Sequence, residues 1–121
     1  MTKQEMLQRT KQFALRVVRA VQALPRVDEA KILGRQLLWA GTSVGANCRA
    51  ACRAKSSADF IHKLKIVEEE CDESLYWMEL LIEAGFFPIR KLDNLMREAD
   101  ERLAMIVASL RTLRSPRPAT S

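Results

Sequence analysis

The chain has 121 residues and a net charge of +5, with four glycines, four prolines and three cysteines. That length supports one domain with a core of its own, scarce glycine and proline favour helices, and aromatics at 6% leave the core mostly aliphatic. No apolar run approaches the roughly 20 residues that span a bilayer, the N-terminus (MTKQEMLQRTKQF) has no signal-peptide stretch, and an odd cysteine count without one argues for reduced thiols, so a cytoplasmic protein without membrane attachment is expected.

Thr2-Lys3-Gln4-Glu5 has capping-box spacing and predicts a first helix over about residues 3–24. Met6, Phe13, Val17, Val21 and Leu24 make its apolar face, and Pro25 ends it. Arg9, Arg16, Arg19 and Arg26 fall to one side of that face, within about a quarter-turn arc. Asp28 is a natural N-cap for a second helix over about residues 29–54. Its core face is Leu33, Leu37, Ala40, Val44 and Ala51, with Asn47 at the margin, and Lys31, Arg35, Thr42, Arg49 and Arg53 form a strip opposite. A third strip, Gly41, Gly45, Cys48 and Cys52, is made of small residues. Two glycines inside a helix cost about 1 kcal/mol each relative to alanine, so their pairing at i and i+4 implies the close approach of another backbone.

Lys55-Ser56-Ser57 breaks the chain, and a serine there caps a third helix over about residues 57–84, with Asp59 placed for its dipole. Phe60, Leu64, Val67, Cys71, Leu75, Met78 and Ile82 make a core stripe; Ile66, Trp77 and Leu81, with Leu80 close by, make a second apolar patch. Gly85 is the expected residue after the C-cap and Pro88 the expected first residue of a fourth helix, over about residues 88–113. This last helix has one apolar face, Leu92, Leu95, Met96, Ala99, Leu103, Ile106, Val107, Leu110 and Leu113, and the pairs Asp93–Arg97 and Glu98–Arg102 fall on its wet side. The tail from Ser115 (SPRPATS) is polar and proline-broken and reads as disordered.

Four long helices with short connections predict an all-α, antiparallel up-down-up-down bundle. A lone bundle needs one apolar face per helix, whereas the second and third helices each show two, so a homo-oligomer is expected. Residues 56–85 carry a net charge of −6 in an otherwise basic chain, which suits unlike surfaces meeting head to tail and closing into a ring. Gly41, Gly45, Ile66, Glu70, Glu73, Trp77 and Leu81 are the expected interface.

No residue set has the pattern of a catalytic site. Cys48, Cys52, Cys71 and His62 lack the converging ligands of a structural zinc site and read as packing thiols. Glu68, Glu69, Glu70, Asp72 and Glu73 fan around their helix rather than converge. Ser43 and Asn47 read as satisfied polar groups near the core. Neither metal nor cofactor is expected, and the protein reads as non-enzymatic. The functional signal lies in the one-sign strips: Arg9, Arg16 and Arg19 with Lys31, Arg35, Arg49 and Arg53 are candidate phosphate contacts for nucleic acid, with RNA the favoured form. No exposed aromatic platform is expected, which disfavours sequence-specific single-strand readout.

The run Thr42-Ser43-Val44-Gly45-Ala46-Asn47, then Arg53-x-Lys55-Ser56-x-x-Asp59-Phe60 and Leu64-x-Ile66-x-Glu68, resembles the 23S ribosomal RNA intervening-sequence proteins and, more distantly, the accessory variability proteins of diversity-generating retroelements. The resemblance covers about residues 33–85 in sequence and the outer helices in pattern only. Many members carry an acidic residue and a glycine shortly after the Asn, where this chain has Ala50 and Ala51. The resemblance implies an antiparallel four-helix bundle, a homopentamer and no enzymatic activity; for the retroelement proteins it also implies nucleic-acid binding and contact with a reverse transcriptase. The rival expectation is an adaptor or assembly module whose partner is another protein, such as a reverse transcriptase.

Overall fold

The computed structural model describes residues 2–114, and these form four helices: α1 Lys3–Gln22, α2 Asp28–Cys52, α3 Ser57–Glu83 and α4 Ile89–Arg114. The tail expected from Ser115 lies outside the described residues. Local chemistry sets the ends. The Thr2 hydroxyl accepts from the Glu5 N–H at 3.1 Å and starts α1. Asp28 is the first residue of α2 rather than its cap; Val27 occupies the cap position without a side-chain hydrogen bond. Ser56 Oγ accepts from the Asp59 N–H (3.1 Å), and the Asp59 carboxylate accepts from the Lys55 N–H (3.2 Å), so the α2–α3 break is held from both sides. At the other end of α3, Gly85 takes φ +82. The Phe86 N–H reaches back to the Leu81 carbonyl and the Gly85 N–H to that of Ile82, both at 3.0 Å. That pair of bonds is a Schellman motif, which a residue with a Cβ adopts only under strain.

Each helix packs on the next in the chain, and α1 also touches α4. The shared core contains Phe13 and Val17 from α1, Leu37 and Val44 from α2, Val67, Cys71 and Met78 from α3, and Leu92, Ala99 and Ile106 from α4. Buried hydroxyls cause no conflict there: Thr10 and Ser74 each donate to the carbonyl four residues back, at 2.8 Å. Asn47, half-buried, does the same to Ser43 at 2.9 Å.

Three features depart from the sequence reading. First, the close approach offered by the glycines is made within the chain, not to a second copy. A methyl at Gly41 would meet both Val17 Cγ atoms at 2.8 Å, and one at Gly45 would lie 3.2 Å from the Thr10 carbonyl oxygen. Further along the same seam, Gly34 faces Leu24 and Val21. Gly45 therefore admits the backbone of α1, and Gly41 its Val17 side chain. Second, Leu81 is 1% exposed. It follows the buried Met78 by three residues and Ser74 by seven, which puts it on the inner stripe of α3 and not on an outward patch. Third, Glu98 and Arg102 are not on the wet side of α4. Arg102 is 2% exposed and pairs with Glu98 (3.5 Å) and Glu101 (3.5 Å), while Arg9 of α1 reaches Glu98 at 3.4 Å. Asp93–Arg97, at 3.0 Å, is the exposed i,i+4 pair that its spacing predicts.

Candidate nucleic-acid interface

All seven predicted cations, Arg9, Arg16, Arg19, Lys31, Arg35, Arg49 and Arg53, are exposed. The structure does not bring them to one place. Arg49 and Arg53 stand on a ridge between two open hollows near the C-terminal end of α2. One, of about 680 Å³, is walled by α1 and adds Gln4, Gln8 and Lys11 with Thr42 of α2. The other, of about 760 Å³, lies toward α3 and adds Lys55 and Lys63. Five cations thus share this end of the α1–α2–α3 face with a single carboxylate, Asp59, which is already engaged by the Lys55 N–H. Lys31 and Arg35 lie at the opposite end of α2, beside Arg26 in a smaller hollow of about 290 Å³.

The α1 arginines go elsewhere. Arg9 pairs with Glu98 and Glu101 of α4, whereas Lys11 lines the groove with α2. Two residues along a helix is a rotation of about 200°, so the Arg9–Arg16 strip and Lys11 necessarily face apart. Sequence reasoning left Lys11, Lys55, Lys63 and Arg26 out of the candidate phosphate contacts. For Lys55 the available signal was the absence of any acid from Ala30 to Ala58, a stretch that ends by the α2–α3 break.

Two aromatic side chains are also out in solvent, contrary to the sequence reading: Trp39 on α2 is 75% exposed and Tyr76 on α3 is 53% exposed. Trp39 is about 200° round the helix from the buried Leu37 and about 100° from Ala40, which puts it off the core stripe of α2. Tyr76 leans edge-on against Trp77, ring centres 5.0 Å apart at 73°.

The predicted interface residues on α3 divide similarly. Glu73 is exposed, while Ile66 and Trp77 are half-buried, Trp77 packing against the core. Glu70 is half-buried with Oε2 shielded from solvent and without a hydrogen bond. Burial raises its pKa above the ordinary carboxylate value, and the neighbouring Glu73 and Glu69 charges push it the same way. The thiols are placed as packing groups. Burial raises the Cys48 pKa, with Cys52 adding to the rise and a hydrogen bond with the Thr10 side chain opposing it. Burial likewise pushes the Cys71 thiol up to about 12. Among the described residues no three His, Cys, Asp or Glu side chains are grouped so as to hold a metal ion, and no helix is long and apolar enough to cross a membrane.

Comparison with known proteins places this architecture. No curated protein matches the chain. Among solved structures, it is similar to the crystal structure of a protein of unknown function from Bacteroides thetaiotaomicron, described as of the S23 ribosomal protein family. The two share 32% sequence identity and a TM-score of 0.82, over 92% of this chain and 99% of the other. The sequence model of the family described as 23S rRNA-intervening sequence protein matches residues 2–108, which take in α1, α2, α3 and most of α4. The chain belongs to the 23S rRNA-intervening sequence protein family.

Proposed function

We propose that this protein is a non-enzymatic, homo-oligomeric accessory protein that binds nucleic acid, RNA by preference, through phosphate contacts. One observation carries the reading: Lys11, Arg49, Arg53, Lys55 and Lys63 crowd one end of the α1–α2–α3 face with only Asp59 among them. Cations left without counter-charges in adjoining open hollows create a positive potential that a phosphate backbone neutralises with release of counterions.

The subunit is proposed as an antiparallel up-down-up-down bundle and the assembly as a ring, with five copies the number that the family resemblance implies. The α1–α2 contacts run in opposite sense along the two helices, Thr10 with Gly45, Val17 with Gly41, and Leu24 with Gly34, as an antiparallel pair requires. For the ring, the α1 strip of Arg16 and Arg19 suits the acidic α3 face of a neighbouring copy. Glu73 is exposed there, and Glu69 and Asp72 beside it are exposed as well. Arg9 is already satisfied by Glu98 within its own chain.

Binding of mixed-sequence RNA measured against salt tests the reading. Each phosphate contact on a single strand contributes about −0.7 to the slope of log K against log salt. Replacing Arg49 and Arg53 together with alanine should flatten that slope by about 1.4 and weaken binding to all sequences alike. Replacing Arg16 and Arg19 should change it far less. Wild-type protein that binds neither RNA nor duplex DNA at about 50 mM salt, where phosphate contacts are strongest, would overturn the proposal and leave the adaptor reading.

A further inference from the structure

Trp39 is three-quarters exposed in the middle of α2, although an indole is among the largest apolar groups a chain can bury. Its neighbours on that outward face are polar or small, apart from the exposed Ile32 two turns before it. Arg35 lies one turn before it, and Thr42 and Ala46 lie on the turns that follow. The Thr42 hydroxyl donates to the Leu38 carbonyl at 2.7 Å, so its hydrogen is turned onto the helix backbone. Beyond these neighbours stand cations at both ends, Lys31 and Arg35 on one side and Arg49 and Arg53 on the other. Fourteen residues separate Arg35 from Arg49, about 21 Å along the axis. A stacked strand carries one phosphate per about 3.4 Å, so that distance holds about six phosphates. Between Ala30 and Ala58 no acidic residue interrupts the line.

We infer that Trp39 is a base-stacking platform for a single-stranded nucleic acid whose phosphates run along α2 from Lys31 and Arg35 to Arg49 and Arg53. The inference rests on the nucleic-acid reading above and deepens it: phosphate contacts alone take duplex or single strand, whereas a stacking indole takes only bases that are unpaired. Charge decides the occupant. A second copy presenting this same face would oppose arginine to arginine, whereas a polyanion with free bases matches both the cations and the ring between them. Stacking on an aromatic face is sequence-tolerant, so the site discriminates strandedness rather than sequence.

The test uses a fluorescent twelve-nucleotide oligo(U) and an abasic strand of equal length and charge, with size-exclusion light scattering as a control. Trp39→Ala should weaken oligo(U) binding by about fivefold or more, leave the abasic strand unaffected and leave the assembly mass unchanged. Trp39→Phe should restore most of the loss. In a Trp77→Phe background, oligo(U) should quench the fluorescence of Trp39 and the abasic strand should not. Equal binding of both strands by wild type, with Trp39→Ala changing neither, overturns the stacking role and leaves the phosphate reading standing. Failure of wild type to bind either strand removes both. A fall in assembly mass in Trp39→Ala assigns the face to a second copy and overturns the inference.

Discussion

Arg102 keeps a guanidinium inside a core that is otherwise uncharged, and its pairing with Glu98 helps to make this tolerable. A charge buried with a partner costs little net, whereas removing the partner strands it. Glu98→Ala removes a carboxylate that Arg9 and Arg102 share, while both still reach Glu101. We expect a loss of about 2–3 kcal/mol, below the roughly 3–5 kcal/mol of fully buried broken pairs because Glu98 is partly solvated and Glu101 stays within reach. It should appear as a lower midpoint in urea with an unchanged m-value; a change under about 0.5 kcal/mol would show that water already carries the charge. Glu70 gives a second expectation, in pH. Its folded pKa is raised above the reference of 4.5, so the folded state holds this proton more tightly than the unfolded chain. Its contribution to stability is therefore fully present below 4.5 and is lost as pH rises through the folded value. Glu70→Gln should flatten the stability profile above pH 4.5, and a wild-type profile that rises there with the same slope as the variant would contradict it.

The helices themselves were legible in the sequence, since caps and period are local. Thr2, Ser56 and Gly85 each do what their spacing predicts. What each face of a helix meets is not local, and the small strip on α2 was assigned to the wrong neighbour for that reason. The requirement for close approach at Gly41 and Gly45 could be read, but not that α1 would supply the approaching chain. A consequence follows for Gly45→Leu. Its Cβ would press on the Thr10 carbonyl, which is backbone and yields little. Overpacking costs about 1–3 kcal/mol, against about 1 kcal/mol regained from leaving glycine in a helix. The variant should unfold earlier by calorimetry, and it should do so whether or not copies associate; full stability would mean that α1 can slide at this point. The candidate binding site was half legible on the same ground. Arg49 and Arg53 were found because a run without acids survives folding as a basic strip. Lys11 was not, because its neighbours in space come from α2.

Across the molecule the charge is sorted by helix, net acid on α3 and net base on the other three, most strongly on α1. In an isolated subunit α3 would show water a carboxylate-rich surface bearing the half-exposed Tyr76 beside Trp77. We therefore expect light scattering coupled to size exclusion to report a multiple of the 13.8 kDa chain mass. Trp77→Ala should lower that mass or make it concentration-dependent, as loss of an aromatic anchor of about 2 kcal/mol or more would. A wild type that elutes as a single subunit would refute the ring. An assembly indifferent to Trp77→Ala would keep the ring and move its contact off this patch.

The glycine seam between α1 and α2 has one more effect. Because a methyl at Gly45 would lie 3.2 Å from the Thr10 carbonyl oxygen and one at Gly41 would strike the Val17 side chain, α1 and α2 pack at close quarters beneath the groove that Lys11 and Arg49 line. A groove built this way loses little conformational entropy when filled, and preorganisation of that kind favours affinity without any added contact. It also cannot widen to suit its guest. Whatever occupies it must do the bending, so a flexible strand is admitted on easier terms than a stiff duplex, and the selection is made by mechanics before any base is touched.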